Sequence, residues 1–281
     1  MIVGASASTA IVSSAVVAAV VGGISSFLTQ RYLLERKAQV DYDFMARKRL
    51  YEAVGPLRMQ LLFAARDVVR RVKDHPASRW DLAPSKHFAR SFIYRLLRPL
   101  AIAQLIERQM GVADFAVDPV GLDLLRFNTA AERMLSGDAV VLGHPDVDWS
   151  TQSQHLFRDN LRVAAARLIC DDDDGPVVMD YLRFQREVPD PRADDTLCDL
   201  ALIFDRCQLD GNLTHNPLFW LRLVGYGYAC NRLIATQGVA VGFEDLTFPA
   251  AEAVAAAQDD SIRSRAPEYV RAFEGILAQG L

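Results

Sequence analysis

MIVGASASTAIVSSAVVAAVVGGISSFLTQ, residues 1–30, contains no Asp, Glu, Lys, Arg or His, and Arg31 is the first charged side chain. A helix rises about 1.5 Å per residue, so the apolar run at 11–28 spans roughly 27 Å. The hydrocarbon core of a bilayer is about 30 Å thick, and the uncharged residues before this run supply the remaining length. The stretch therefore predicts a single transmembrane helix at residues 1–30.

Small side chains form two neighbouring rows on one side of this predicted helix. Such rows favour helix pairing in lipid, because they allow close backbone approach where no hydrophobic drive exists. The other side carries bulky residues at the same spacing, such as Val12, Val16 and Val20. The alternative is that the small residues, which are common in bacterial spans, pack against nothing. We expect a homo-oligomer that pairs through Ser14, Ala15, Ala18, Ala19, Gly22, Gly23 and Ser26.

Basic residues follow the span closely, and they predict its orientation. Arg31, Arg36 and Lys37 come directly after it, and a second basic group lies at 47–49. Because flanks rich in Lys and Arg stay in the cytoplasm, we expect a single-pass protein of the inner membrane with a cytoplasmic C-terminal domain. Arg31, Arg36 and Lys37 are expected to contact anionic lipid headgroups. No basic region precedes the apolar run, which favours a signal anchor over a cleaved signal peptide.

Charge divides the rest of the chain into a basic stalk and an acidic body. Residues 31–74 hold eleven Lys and Arg against six Asp and Glu, a net charge of +5. The whole chain carries −4, so residues 75–281 carry −9. Because a phosphate-binding surface needs clustered positive charge, no nucleic acid partner is expected. The predicted domains are an anchor at 1–30, a stalk helix at 31–74 and a cytoplasmic domain at 75–281.

Apolar spacing predicts an all-α fold, since no alternating strand pattern exceeds a few residues. Gly55-Pro56 is expected to kink or interrupt the stalk helix, because proline removes a backbone donor. Further helices are predicted over 87–110, 122–135 and 217–237, the last as the centre of the body, while 177–187 is either strand or helix. The stalk also carries a four-three stripe that packs on the body or against a second copy, formed by Leu50, Val54, Leu57, Leu61, Ala64 and Val68.

One stretch combines imidazole and carboxylate groups, which together suit a divalent metal that activates water. Its candidate ligands are His144, Asp146, Asp148 and His155. This reading makes the protein a membrane-tethered metal-dependent hydrolase. The alternative is a loop in which Asp148 or Ser150 caps the following helix. We favour the loop, because no further ligand at fixed spacing completes a known metal signature, and we predict no metal, cofactor or catalytic residue.

The four cysteines, Cys170, Cys198, Cys207 and Cys230, are scattered and form no CxxC pair. Such spacing is typical of reduced thiols in a cytoplasmic domain and predicts no zinc site or disulfide.

Two stretches resemble segments of uncharacterised bacterial proteins that have one N-terminal transmembrane helix and a cytoplasmic helical domain. They are RKRLYEAVGPL at 47–57 and SFIYRLLRPLAI at 91–102. The resemblance covers about the first half of the chain. It implies that architecture and no activity, cofactor or catalytic residue.

The favoured hypothesis is a membrane-anchored cytoplasmic interaction or signalling protein that self-associates through its span and binds an unidentified protein partner. Enzyme activity is left open and is the less favoured reading. Besides the hydrolase, a third hypothesis is a membrane-damaging phage-defence effector, because hydroxyl groups in a span can line a pore in an assembly.

Overall fold

The computed structural model describes residues 5–111, 113–173, 175–207, 211–244 and 246–279, and it describes side chains from Gly22 onward except that of Ile24. Helix accounts for 73% of the chain and strand for 3%, which confirms the predicted all-α class. The chain divides into two compact units, Met1–Arg49 and Leu50–Leu281.

The described residues form ten α-helices and one short hairpin. The hairpin pairs β1 (Ile169–Asp172) antiparallel with β2 (Gly175–Val178), with Ile169 opposite Val178. The helices are α1 (Ala5–Asp74), α2 (His87–Arg108), α3 (Pro119–Ser136), α4 (Arg158–Ala166), α5 (Tyr181–Glu187), α6 (Cys198–Arg206), α7 (Pro217–Leu233), α8 (Ala250–Ala255), α9 (Asp260–Ser264) and α10 (Ala266–Ala278).

Helix boundaries follow local capping chemistry, and most agree with the sequence. Helix α1 ends at Asp74, directly before His75-Pro76, and α2 spans 87–108 against the predicted 87–110. Helix α3 begins three residues earlier than predicted, because Asp118 accepts the backbone N–H of Val120 as its N-cap. The stretch at 177–187 contains both structures, the end of β2 and then α5, which Asp180 caps.

In the unit Met1–Arg49, the predicted membrane span lies mostly outside the residues whose side chains are described. Gly22, Gly23 and Ser26 are exposed, and among the described residues no atom beyond the helix's own backbone lies within 4 Å of a Cβ built at either glycine. Among the described residues, no helix is both long and apolar enough to cross a bilayer. Four predicted packing residues have no described side chain: Ser14, Ala15, Ala18 and Ala19.

Large apolar side chains of this unit are exposed over several helical turns. Single exposed apolar residues are ordinary, whereas many close together mark a surface that contacts lipid or protein. The unit therefore carries a candidate contact surface on α1. Its members, each between 54% and 68% exposed, include Phe27, Leu28, Tyr32, Leu33, Leu34, Val40, Tyr42 and Phe44.

In the unit Leu50–Leu281, the C-terminal part of α1 packs into the core. Leu50, Val54 and Leu61 are at most 4% exposed, so the four-three stripe packs on the body, the first of the two predicted alternatives. The interruption predicted at Gly55-Pro56 is absent from α1, which is helical throughout the described span 5–74. Pro56 has no N–H to donate to the carbonyl of Glu52, four residues earlier, and α1 continues past this position without a break.

Helix α7 is buried on nearly all sides, as its apolar sequence predicts. Trp220 and Tyr226 are 0% exposed, and both polar atoms have acceptors: Trp220 Nε1 donates to the Ala253 carbonyl at 2.8 Å, and the Tyr226 hydroxyl donates to the Leu96 carbonyl at 3.1 Å. A Cβ built at Gly225 would lie 2.9 Å from Met134 Sδ, so α3 packs closely against α7 there. The helix continues as a π-helical turn, Ile234–Gly238.

Candidate functional site

The loop between α3 and α4 carries the four suggested metal ligands, and its first turn buries one of them. Leu142 and Gly143 have φ angles of 46° and 67°, both in the left-handed region. Leu142 is the one described non-glycine residue with such an angle, which costs of order 1–3 kcal/mol. After this reversal His144 is only 5% exposed.

His144 connects this loop to the N-terminus of α9. Its Nε2 lies 2.8 Å from Ser261 Oγ and 3.5 Å from Asp259 Oδ2. The Ser261 hydroxyl donates to Asp259 Oδ1 at 2.7 Å, and the same oxygen accepts the backbone N–H of Ile262, which caps α9. The hydrogen bond from Ser261 is the main reason that the pKa of the Asp259 carboxyl lies below its ordinary value.

The spacing of this cluster is compatible with a divalent metal ion, because ligand atoms of His144, Asp146 and Asp259 lie within 4.8 Å of one another. His144 Nδ1 accepts the backbone N–H of Asp146 at 3.2 Å, so the proton of the neutral ring is assigned to Nε2. An Nε2–H group donates to Ser261 and has no lone pair for a metal ion. The hydrogen bonding therefore favours a structural link between the loop and α9 over a catalytic base or ligand set.

Replacing His144 with glutamine tests this structural role. We expect the variant to lose about 1–2 kcal/mol of unfolding free energy, because the loop and α9 lose the two hydrogen bonds of the His144 ring, each of which contributes about 0.5–1.5 kcal/mol. Equimolar Zn²⁺ or Mn²⁺ should leave the thermal midpoint of the unaltered protein unchanged in differential scanning fluorimetry. A metal-dependent rise that disappears in His144→Gln would contradict the structural role.

The carboxylate of Asp148 accepts hydrogen bonds from residues of its own loop. It accepts the backbone N–H of Ser150 at 2.8 Å and the hydroxyls of Ser150 and Thr151 at 2.5 and 2.8 Å. These hydrogen bonds, the Ser150 hydroxyl first, hold the pKa of the Asp148 carboxyl below its ordinary value. The cap expected of Asp148 or Ser150 on α4 is wrong, because α4 begins at Arg158 and Phe157 is its N-cap.

His155 lies between two aromatic rings. Its ring centroid is 4.8 Å from that of Trp149 and 5.1 Å from that of Phe157, and the residue is 1% exposed. Neither ring nitrogen has a hydrogen-bond partner among the described residues. Burial lowers the pKa of the imidazole, and the positive charge of Arg222 lowers it further, against the smaller opposing effect of the Asp148 carboxylate.

The structure thus divides the four candidates. His144 and Asp146 lie with Asp259, whereas Asp148 and His155 do not belong to that group. Sequence reasoning missed Asp259 and Ser261, because Ser261 is 117 positions from His144 and no spacing pattern relates them.

The residues expected to contact lipid headgroups are exposed on α1. Arg31 forms an ion pair with Glu35 one turn later, with 2.9 Å between Nε and Oε1, and Arg36 and Lys37 are also exposed. Ion pairs of this exposed kind contribute about 0.3–0.5 kcal/mol, so Arg31 can readily exchange its contact with Glu35 for an anionic headgroup.

All four cysteines are free thiols, as the sequence predicts. Cys207 and Cys230 are buried, whereas Cys170 and Cys198 are half-buried.

No protein-family model matches this sequence, and no curated protein or solved structure is detectably similar to it. The resemblance of residues 47–57 and 91–102 to bacterial single-span proteins therefore stays a prediction.

Proposed function

We propose that this chain is an inner-membrane, single-pass interaction protein that self-associates through its N-terminal helix and presents its helical body in the cytoplasm. The observation that carries the proposal is the run of thirty residues without a charged side chain, followed at once by Arg31. A run of that length matches the hydrocarbon thickness of a bilayer. The basic residues Arg31, Arg36 and Lys37 favour the cytoplasm for the part that follows.

Two features of the described residues support a membrane anchor. Helix α1 already begins at Ala5, so the charge-free run is helical along most of its length, as a spanning segment must be. Phe27 and Leu28, at the end of that run, are 64% and 58% exposed, and a lipid environment would cover them. Tyr32 follows at the level where interfacial aromatic residues are enriched.

Self-association is supported by the open face at Gly22 and Gly23. Within the described part of the chain no side chain lies within 4 Å of a Cβ built at either glycine, which leaves room for a second helix to reach the backbone there. The exposed apolar residues Leu33, Val40 and Phe44 continue beyond the span at helical spacing, which suits an extended helix pair.

The body is proposed to bind its partner through helical surface rather than to catalyse a reaction. The hydrolase hypothesis has less support, because Nε2 of His144 is hydrogen-bonded to Ser261 and His155 lies between aromatic rings. The effector hypothesis also stays a prediction, since most hydroxyl side chains of the span lie outside the described ones.

Crosslinking of one introduced cysteine at a time in membranes tests the pairing, while the buried Cys207 and Cys230 stay in place. With Cys170 and Cys198 replaced by serine, we expect Ala18→Cys and Gly22→Cys to form disulfide-linked dimers on mild oxidation. The matched control is Val20→Cys, which lies on the bulky side and should crosslink far less. Equal crosslinking at Val20 and Gly22, or a monomer at every protein density, would contradict the proposed interface.

Membrane insertion and orientation are tested separately. We expect the full-length protein to stay in the membrane pellet after carbonate extraction, and a C-terminal tag to be cleaved by protease only in inverted vesicles. Recovery in the aqueous fraction, or cleavage of the tag from intact spheroplasts, would contradict the anchor or its orientation.

A further inference from the structure

A cleft of about 350 Å³ lies within the unit Leu50–Leu281, between α1 and the turn that follows the π-helical end of α7. Its apolar lining comes from Met59 and Phe63 on one side and from Val241 and Leu246 on the other. Phe63 and Val241 are 42% and 41% exposed, so this apolar surface is open to solvent. The volume lies at the lower end of the range for small-molecule sites, about 300–1,000 Å³.

Two arginines, Arg66 and Arg70, line the same cleft one helical turn apart on α1. The guanidinium carbon of Arg66 lies 5.0 Å from the ring centre of Phe63 and 5.8 Å from that of Phe243, so both rings hold it in place. Arg66 Nε is buried and has no hydrogen-bond partner among the residues that the structure describes. Nearly all buried polar groups in proteins have such a partner, so this donor is available to an acceptor group on a ligand.

Three hydrogen bonds hold the wall opposite α1 in place. Arg58 Nη2 donates to the Gln237 carbonyl at 2.9 Å, and Gln237 Nε2 donates to Asp123 Oδ2 at 2.9 Å. The backbone N–H of Phe243 donates to the Gly238 carbonyl at 3.1 Å, after a turn in which Gly242 has a φ of 86°. The cleft is therefore formed before any ligand binds, which reduces the entropic cost of binding. Single π-helical turns are also frequent at functional sites.

We propose that this cleft binds an acidic amphiphile, with a phosphate or carboxylate group on Arg66 and Arg70 and a short apolar chain along Phe63 and Val241. Guanidinium groups suit this role because their N–H donors match the oxygens of phosphate and carboxylate in pairs. The lining residues all belong to the unit Leu50–Leu281, so the site does not depend on self-association, whereas its measurement in nanodiscs rests on the proposed membrane anchor.

Glu244 also lines the cleft, and no ion pair joins it to Arg66 or Arg70 among the described residues. Its carboxylate repels a bound anion, so the lining carries one net positive charge rather than two. Removing this negative charge should strengthen binding, an effect that a purely structural role of the arginines would not produce.

The test titrates octyl phosphate into full-length protein in phosphatidylcholine nanodiscs, followed by ³¹P NMR with empty nanodiscs as the blank. We expect saturable binding that weakens at least about tenfold in Arg66→Gln and in Arg70→Gln and tightens severalfold in Glu244→Gln. The matched control, Arg265→Gln, removes an exposed arginine outside the cleft and should bind as the unaltered protein does. If circular dichroism shows that Arg66→Gln does not fold, the variants at the exposed Arg70 and Glu244 still decide the result.

Three outcomes would overturn the proposal: equal binding of octanol, equal binding of inorganic phosphate, or unchanged affinity in both arginine variants. A second arm replaces part of the phosphatidylcholine with phosphatidylglycerol. Weaker apparent binding of octyl phosphate there, absent in Arg70→Gln, supports the site and indicates a bilayer lipid as the ligand. Unchanged binding supports the site and indicates a free amphiphile.

Discussion

Replacing both Arg158 and Arg162 with glutamine is expected to lower the free energy of unfolding by about 3–5 kcal/mol, because it leaves a buried carboxylate without its cations. That carboxylate belongs to Glu132 on α3, whose side chain is 4% exposed. Arg158 Nε and Arg162 Nε donate to its two oxygens at 2.8 and 2.6 Å. Arg162 Nη2 also lies 3.3 Å from Glu107, so the network joins α2, α3 and α4.

We expect a third substitution, at Glu132, to restore the stability of the double variant. Adding Glu132→Met to the double variant removes the unpaired buried charge, and most of the lost stability should return, since apolar replacement of a buried ion pair is often neutral. The comparison is made by urea unfolding followed through tryptophan fluorescence. Arg265→Gln serves as the control, because its exposed pair with Glu268 contributes about 0–1 kcal/mol. If the triple variant were less stable than the double one, the charge argument would be wrong.

Acidification from pH 6.5 to about 4 is expected to remove about 3 kcal/mol of stability through His75 alone. His75 is 0% exposed, and burial, followed by the charge of Arg71, lowers the pKa of its imidazole to about 4. In the unfolded chain His75 has its ordinary pKa of 6.5. Between pH 6.5 and about 4, the unfolded chain therefore binds a proton at His75 that the folded chain does not bind. Stability from this residue is complete above pH 6.5 and declines as the pH falls towards 4.

The surroundings of His75 explain why it stays neutral. Its Nε2 accepts the backbone N–H of Leu213 at 2.8 Å, and its ring lies 4.9 to 5.6 Å from the aromatic rings of Trp80, Phe92 and Trp220. None of these four described neighbours carries a negative charge that would stabilise an imidazolium. The carbonyl oxygen of a glutamine can replace Nε2 as acceptor without titrating in this range.

The measurement is the urea midpoint at several pH values for the unaltered protein and His75→Gln. Carboxylates titrate in both proteins, so the difference between the two curves isolates His75. We expect the urea midpoint of the unaltered protein to fall steadily relative to that of His75→Gln below pH 6.5. Parallel curves between pH 7 and 4.5 would show that the ring is not held neutral by its burial.

The sequence by itself determined the helical content, most helix ends and the buried face of α1. These features are local: the stripe through Leu50, Val54 and Leu61 repeats with the helical period, and His75-Pro76 stops α1 wherever the body lies. The charge-free run at residues 1–30 is local in the same sense, and it carries the membrane proposal without any tertiary contact.

Only the tertiary structure decided which chemical groups meet. Sequence neighbourhood suggested that His144, Asp146, Asp148 and His155 belong together, whereas packing joins His144 with Asp259 and Ser261 and places His155 between aromatic rings. Packing likewise brings Arg66 and Arg70 of α1 to a turn about 175 positions away, where the cleft forms. The physical reason is that side-chain identity and period fix how a segment folds, while contacts between distant segments depend on how all the buried faces are satisfied together.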